Sequence, residues 1–233
     1  MKEELIYEGK AKRLYKTEEK NLLIQEFKDS LTAFNGKKKK EVEGKGKINC
    51  EISSIIFSYL EKKGIETHFL KKISENKMLI KKLKMIPLEV VVRNVATGSL
   101  CKRTEFKEGK VLKKPIIEFY LKNDRLGDPM LNRYHILAME ILNHEEIEEI
   151  IERSFIINYY LCEFFKNKEI ILVDFKLEYG FYENRIILGD EISPDTCRFW
   201  DEKTKESLDK DIFRFDKGDL LSAYQEVLKR LSQ

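Results

Sequence analysis

Residues 170–201, IILVDFKLEYGFYENRIILGDEISPDTCRFWD, decide how the rest of the chain is read. Successive side chains on a strand point to opposite faces, so Asp174, Lys176 and Glu178 line one face and Val173, Phe175, Leu177 and Tyr179 the other. That is a charged surface on an apolar backing. Beyond Gly180 the run 185–188 is strand-like again, and a short turn at Glu183 and Asn184 brings Asp190 back alongside Glu178. Two carboxylates and a lysine then converge, and paired carboxylates are hard oxygen ligands for Mg²⁺, which completes its shell with phosphate oxygens. The same alternation fits an ordinary half-solvated hairpin with its charges outside equally well.

Working outward, residues 88–100, LEVVVRNVATGSL, alternate in the same way and put Glu89 and Arg93 on one face, while Gly98 allows a tight turn that presents Ser99. An arginine fork beside a serine hydroxyl suits a phosphate monoester, and an Arg93–Glu89 ion pair is the plainer reading. Residues 5–7, 13–15 and 22–27 read as antiparallel strands joined through Glu8-Gly9-Lys10-Ala11-Lys12, a connection that either cradles phosphate or is a surface turn. Residues 29–49, with two glycine sites around the Lys37–Lys40 run, are expected to be a mobile loop. Apolar spacing predicts helices over 48–62, 134–142, 145–165 and 218–231, and short strands over 67–72, 77–84 and 115–120. Met85-Ile86-Pro87 reads as a linker, and Asp124 and Asp128 as turn formers in the polar loop that follows residue 120. Antiparallel strands precede the first long helix, so the expected class is α+β rather than a doubly wound parallel sheet.

Composition narrows the function. The 233 residues are 36% charged, yet 44 basic against 41 acidic side chains leave only +3, which argues against a protein that coats nucleic acid. No apolar run approaches the ~20 residues of a membrane span, and MKEEL has no hydrophobic targeting core. Cys50, Cys101, Cys162 and Cys197 form no C-x-x-C pair, so reduced thiols in a cytoplasmic protein are expected. His68, His135 and His144 make no zinc-protease motif, no serine sits in a nucleophile elbow, and no Walker A sequence occurs. Lysine, arginine and carboxylates without His or Cys suit phosphoryl transfer, where positioning and charge neutralisation do most of the catalysis.

VDFKLEYG followed by GDEISPDTCRFWD, the block LEVVVRNVATGSL and the N-terminal YEGKAKRLY resemble the SAICAR synthetase family of purine biosynthesis, and the likeness runs to the final helix. The resemblance implies a two-lobed fold, with an antiparallel kinase-like lobe at 1–84, a larger mixed lobe at 85–233, and ATP between them. It implies ATP-driven joining of L-aspartate to carboxyaminoimidazole ribonucleotide, through an acyl phosphate, by a homodimeric cytoplasmic enzyme. On the same footing, Lys10, Lys12, Met85 and Lys122 would surround the nucleotide, and Glu178 and Asp190 would hold Mg²⁺. Arg93 and Ser99 would take the ribose phosphate, with Asp128 near the substrate. Lys176 would stabilise the transferring group, while Asp174, Arg198 and Arg214, counted with it as catalytic, would hold the second substrate; which arginine meets phosphate and which carboxylate stays open. The family also suggests that 35–47 is a lid, although Asn35 stands where it usually has Asp. A small-molecule kinase of similar build is the alternative enzyme, separated by its indifference to L-aspartate.

Overall fold

The computed structural model describes residues 4–33 and 38–233. Strands β1 (Leu5–Glu8), β2 (Lys12–Lys16) and β3 (Leu22–Phe27) open the chain. After β4 (Ser30–Ala33), β5 (Lys38–Glu41) and helix α1 (Lys45–Lys62) come β6 (Phe69–Lys72) and β7 (Lys77–Lys81). The first sheet is antiparallel throughout, in the order β1-β2-β3-β7-β6. Its inner face carries Leu23, Phe27, Met78 and Ile80, which period-2 alternation turns toward α1.

The remaining strands are β8 (Lys84–Val95), β9 (Val111–Leu121), β10 (Met130–Leu131), β11 (Ile170–Tyr182), β12 (Arg185–Gly189) and β13 (Cys197–Asp201). They form the second sheet, ordered β10-β9-β8-β11-β12, with β13 pairing the first half of β11. Helices α2 (Ser99–Arg103), α3 (Arg133–Ala138), α4 (His144–Lys166), α5 (Asp211–Arg214) and α6 (Leu220–Leu231) complete the molecule. Helix α4 starts with a capping box between Asn143 and Glu146 and buries Ile147, Ile150, Ile157, Leu161 and Phe165 against the sheet. The class is α+β, as the order of strands and helices predicts.

Three expectations need correction. Residues 29–49 are not one loop: β4 and β5 pair as a hairpin, and α1 begins at Lys45. Apolar spacing does not show the first turn of α1, because that turn is buried through a polar residue, Lys45 being only 1% exposed. Lys37 and Asn35 lie outside the described residues. Residues 85–87 are not a linker but part of β8, where pairing with β9 begins only at Leu88 and the register with β11 shifts between Glu178 and Gly180; Pro87 occupies this irregular stretch, which needs no N–H from it. On α4, Phe155 and Tyr159, whose apolar character in the 145–165 helix argues for burial, are exposed.

The two sheets meet at a short seam. Thr67 bridges Leu188 of β12 in parallel, the His68 N–H donates to the Leu188 carbonyl at 2.8 Å, and the Lys81 N–H donates to the His68 carbonyl at 2.7 Å. Between the sheets lies a cleft of about 1130 Å³.

Candidate active site

The β11–β12 hairpin turns at Glu183 and Asn184, both with positive φ, the two-residue geometry that matches strand twist. Glu178 faces Gly189 in the register, so Asp190, itself at φ 63°, follows immediately. The charged face of β11 is not half-solvated. Asp174 and Glu178 are 5% and 3% exposed, Asp174 covered by Arg93 and Arg198 and Glu178 by Lys122 and Lys176. A surface hairpin would leave such carboxylates in water, so here they belong to a cleft wall.

Lys176 Nζ lies 2.5 Å from Glu178 Oε1, 3.0 Å from Glu89 Oε1 and 3.9 Å from Asp190 Oδ2. Burial pushes its pKa down, but Glu178, Asp190 and Glu89 outweigh that and hold it well above the usual lysine value. Lys12 reaches across from β2 to Asp190 and lies 3.2 Å from the buried Glu191. Burial is again the largest influence on Lys12, and the attraction of Asp190, Glu191 and Glu178 again overrides it. Asp190 is the converse: burial alone would raise it, and Lys12 and Lys176 keep it far below the ordinary carboxylate range. Lys122 bonds the other oxygen of Glu178, and Lys10 pairs with Asp124 across the mouth. Met85 lines the same end, 40% exposed.

At the other end arginines dominate. Arg93, 4% exposed, donates from Nε to Glu118 at 2.9 Å, from Nη1 to Asp174 at 2.8 Å and from Nη2 to Ser99 Oγ at 2.9 Å. The plainer expectation of an Arg93–Glu89 pair fails, because Arg93 is taken by Glu118 and Asp174, while Glu89 stands opposite Glu178 and is taken by Lys176. Arg198 donates from Nη1 to Asp174 at 2.7 Å and from Nε to Asp211 at 2.8 Å, leaving Nη2 without a hydrogen bond among the described residues. That Nη2 would stand 2.8 Å from a Cβ at position 98, so Gly98, at φ 56°, is required both by its backbone and by the arginine's approach. Arg214 donates to Asp211 Oδ1 at 2.5 Å. Asp128 lines the cleft, and its Oδ1 accepts the Asn123 N–H at 2.8 Å, the turn-forming role, at φ 50°.

The sequence reading missed several members. Glu118 and Arg103 complete the arginine end, Arg103 donating to Ser99 Oγ at 3.3 Å from one turn along α2; the Ser99/Arg103 spacing was the available signal. Asp211 ties Arg198 to Arg214. Asp195 accepts Lys45 at 2.7 Å, Asn49 at 3.0 Å and Tyr224 at 2.8 Å, joining α1 and α6 beneath the cleft floor. His68, 2% exposed, lines the cleft with neither ring nitrogen hydrogen-bonded, and burial lowers its pKa to about 3.

The arrangement can hold two phosphate-bearing molecules with a cation between two carboxylates at the centre. A divalent ion fits the residues present in one way only: no group of three or more His, Cys, Asp or Glu side chains among the described residues could cage it, but Glu178 and Asp190 both approach the Lys176 ammonium. Two carboxylates completed by phosphate oxygens are the ligand set Mg²⁺ accepts.

Comparison with known proteins follows this geometry. The SAICAR synthetase family model matches residues 5–231. The phosphoribosylaminoimidazole-succinocarboxamide synthase of Caldanaerobacter subterraneus subsp. tengcongensis is 54% identical over 232 residues, covering 100% of this chain and 99% of that protein. The enzyme of the same name from Thermococcus sibiricus is 57% identical over 228 residues, 97% of each chain. A solved SAICAR synthetase in complex with ADP superposes with a TM-score of 0.95 at 52% identity, covering 98% of this chain and 97% of that one. With this match over nearly its whole length, the chain belongs to the SAICAR synthetase family.

Proposed function

We propose that this cleft carries out the family's reaction, the ATP-dependent joining of L-aspartate to the carboxylate of carboxyaminoimidazole ribonucleotide, with the roles below. The observation that carries the reading is a lysine held protonated, Lys176, between the carboxylates of Glu178 and Asp190 at the middle of a cleft whose ends are lysine-lined and arginine-lined. At about 1130 Å³ the cleft exceeds the ~300–1,000 Å³ of a single-ligand pocket.

In this reading residues 1–84 and 85–233 are the two lobes, and ATP enters at the lysine end. Its phosphates lie along Lys10, Lys12 and Lys122, and its base beside Met85. Glu178 and Asp190 would hold Mg²⁺, which when bound would draw charge from the phosphates. Arg93, Arg198 and Ser99 receive the ribose phosphate, Asp174 fixes both arginines, and Asp128 closes the loop at the substrate's edge. The substrate carboxylate oxygen forms a bond to the γ-phosphorus as the bond to ADP breaks. The amine of L-aspartate then attacks the acyl carbon, and phosphate leaves with its oxygen. Lys176 cannot serve as a base, since its carboxylate neighbours keep it protonated; it neutralises charge on the transferring group. Arg214 contributes a further cation. The enzyme works in the cytoplasm as a homodimer, which sedimentation equilibrium checks.

ADP release by purified protein with ATP and Mg²⁺ tests the reading when each other substrate is omitted in turn. Full product formation requires both the ribonucleotide and L-aspartate. Turnover to a phosphorylated product that ignores L-aspartate would make the chain a kinase instead.

A further inference from the structure

Helix α4 is apolar on two sides, and the second sheet covers only one of them. Its inner side buries Ile147, Ile150, Ile157, Leu161 and Phe165 at the spacing of a single helical face. On the outer side its earlier turns carry Glu145, Glu148 and Glu152, as a solvated surface should. The turns that follow carry Phe155, Ile156 and Tyr159 instead, which are 42%, 48% and 61% exposed. Large apolar side chains clustered in water mark a contact surface. A groove of about 400 Å³ runs beside them, lined by Phe155, Tyr159, Pro115, Cys162, Glu163 and Lys166. Two amides that also line it, Asn94 and Asn158, bond each other in both directions at 2.8 and 3.0 Å, and Asn94 donates to the Leu172 carbonyl at 3.2 Å. With those groups already satisfied, little is left to orient a small polar ligand, and the groove suits an apolar side chain. The exposed Glu145, Glu148, Glu152 and Glu163 turn away an anionic lipid surface.

Charge selects the occupant. Glu152 and Lys166 are exposed, and the side chain of neither makes a hydrogen bond or ion pair with any described residue. They stand seven positions to either side of Tyr159, on the same helical face. Two α4 helices laid antiparallel about a twofold axis through Tyr159 therefore bring each Glu152 to the partner's Lys166. Tyr159 meets its own counterpart there, and Ile156, three positions before the axis, falls opposite the partner's Cys162 at the groove. A twofold contact needs such a self-complementary patch. We propose that the outer face of α4 binds a second copy of this chain, antiparallel, with Tyr159 on the twofold axis. The inference rests on the homodimer reading above and gives it a face.

Sedimentation equilibrium of the wild-type chain and three variants tests it. The wild-type chain should sediment as a dimer, and Ile156→Glu should raise the dimer Kd roughly 100-fold while its circular dichroism stays that of the wild type. Lys166→Glu sets like charges against the partner's Glu152 and should weaken the dimer roughly tenfold. Adding Glu152→Lys to that variant should restore the dimer, an outcome that mere loss of helix stability would not give. If Ile156→Glu keeps the wild-type Kd, the chain pairs through another face and the assignment is wrong. If the charge exchange restores nothing, the antiparallel register is wrong. A wild-type chain that sediments as a monomer would overturn the homodimer reading and this face with it.

Discussion

The two ends of the cleft hold charge in different ways. At the nucleotide end, Lys12, Lys122 and Lys176 rest on Asp190 and Glu178, single flexible ammonium groups each facing a carboxylate. At the ribonucleotide end, Arg93 and Arg198 are forked onto Asp174, Glu118 and Asp211, and Arg198 still has Nη2 uncommitted among the described residues. A lysine ammonium is a mobile point charge, whereas a guanidinium is planar and keeps its geometry while bonded on two sides. In the roles proposed above, the lysine end would exchange partners during turnover, its carboxylates passing from lysine to metal. In the same proposal the arginine end would stay still and receive a phosphate of fixed shape.

Breaking the mobile end should give the largest effect. Lys176→Met removes the central cation and should lower kcat by roughly 1,000-fold, as loss of a charge aimed at the transition state does; stopped-flow ADP release measures it. If kcat fell less than about tenfold, the central charge would not act on the chemistry. Glu178→Gln and Asp190→Asn keep shape and an acceptor oxygen but discard the charge. Each should cut turnover at limiting Mg²⁺ by roughly 100-fold, with partial recovery when Mg²⁺ is raised. Near-wild-type turnover of both would separate these residues from the metal.

The rigid end is sharpened by conservative exchange. Arg198→Lys and Arg93→Lys should each weaken ribonucleotide binding roughly 10- to 100-fold and leave ATP binding within roughly threefold, read by calorimetry with each ligand. Equal loss of both ligands would mean that the arginines merely support the fold. The smallest effect is expected at Asp209, which accepts the Phe199 and Asp211 N–H groups beneath Arg198. Burial and the neighbouring Asp211 push its pKa up to about 7. A carboxyl that binds its proton more tightly when folded favours the native state at low pH. Its contribution should decline as pH rises from the unfolded value near ~4 toward 7 and level off above. Thermal midpoints between pH 5 and 8 should carry this shallow slope, and Asp209→Asn should flatten it.

The difference between the two ends also explains what could be read from the chain. Strand alternation is local, so the Asp174–Lys176–Glu178 face and the return of Asp190 were legible in residues 170–190. The arginine end was legible only in part, because Arg93 and Asp174 are brought together by the register of β8 on β11, while Glu118 comes from β9 and Asp211 from α5. Pairing across 25 to 81 positions leaves no periodic trace. A buried lysine misled most. Lys45 reads as part of a solvated charge run, yet its ion pair with Asp195 fastens the first turn of α1 under the cleft.

The seam at Thr67, His68 and Leu188 sets how the cleft can breathe. Backbone hydrogen bonds there stitch the first sheet to the edge of the second directly behind Lys12 and Asp190, so the sheets cannot slide past one another without breaking them. A rotation about that line, like covers about a spine, would keep those bonds, and it would act on the mouth where Lys10 meets Asp124. Near the spine, a rotation of a few degrees barely alters the distance between Lys12 and its carboxylates. At the mouth the same rotation parts an exposed ion pair that water screens and that costs little to open. On the proposed roles, such a rotation would admit and release the nucleotide while the central cluster keeps its spacing, and slow amide exchange at His68 and Leu188 beside fast exchange around residues 123–128 would be the mark of it.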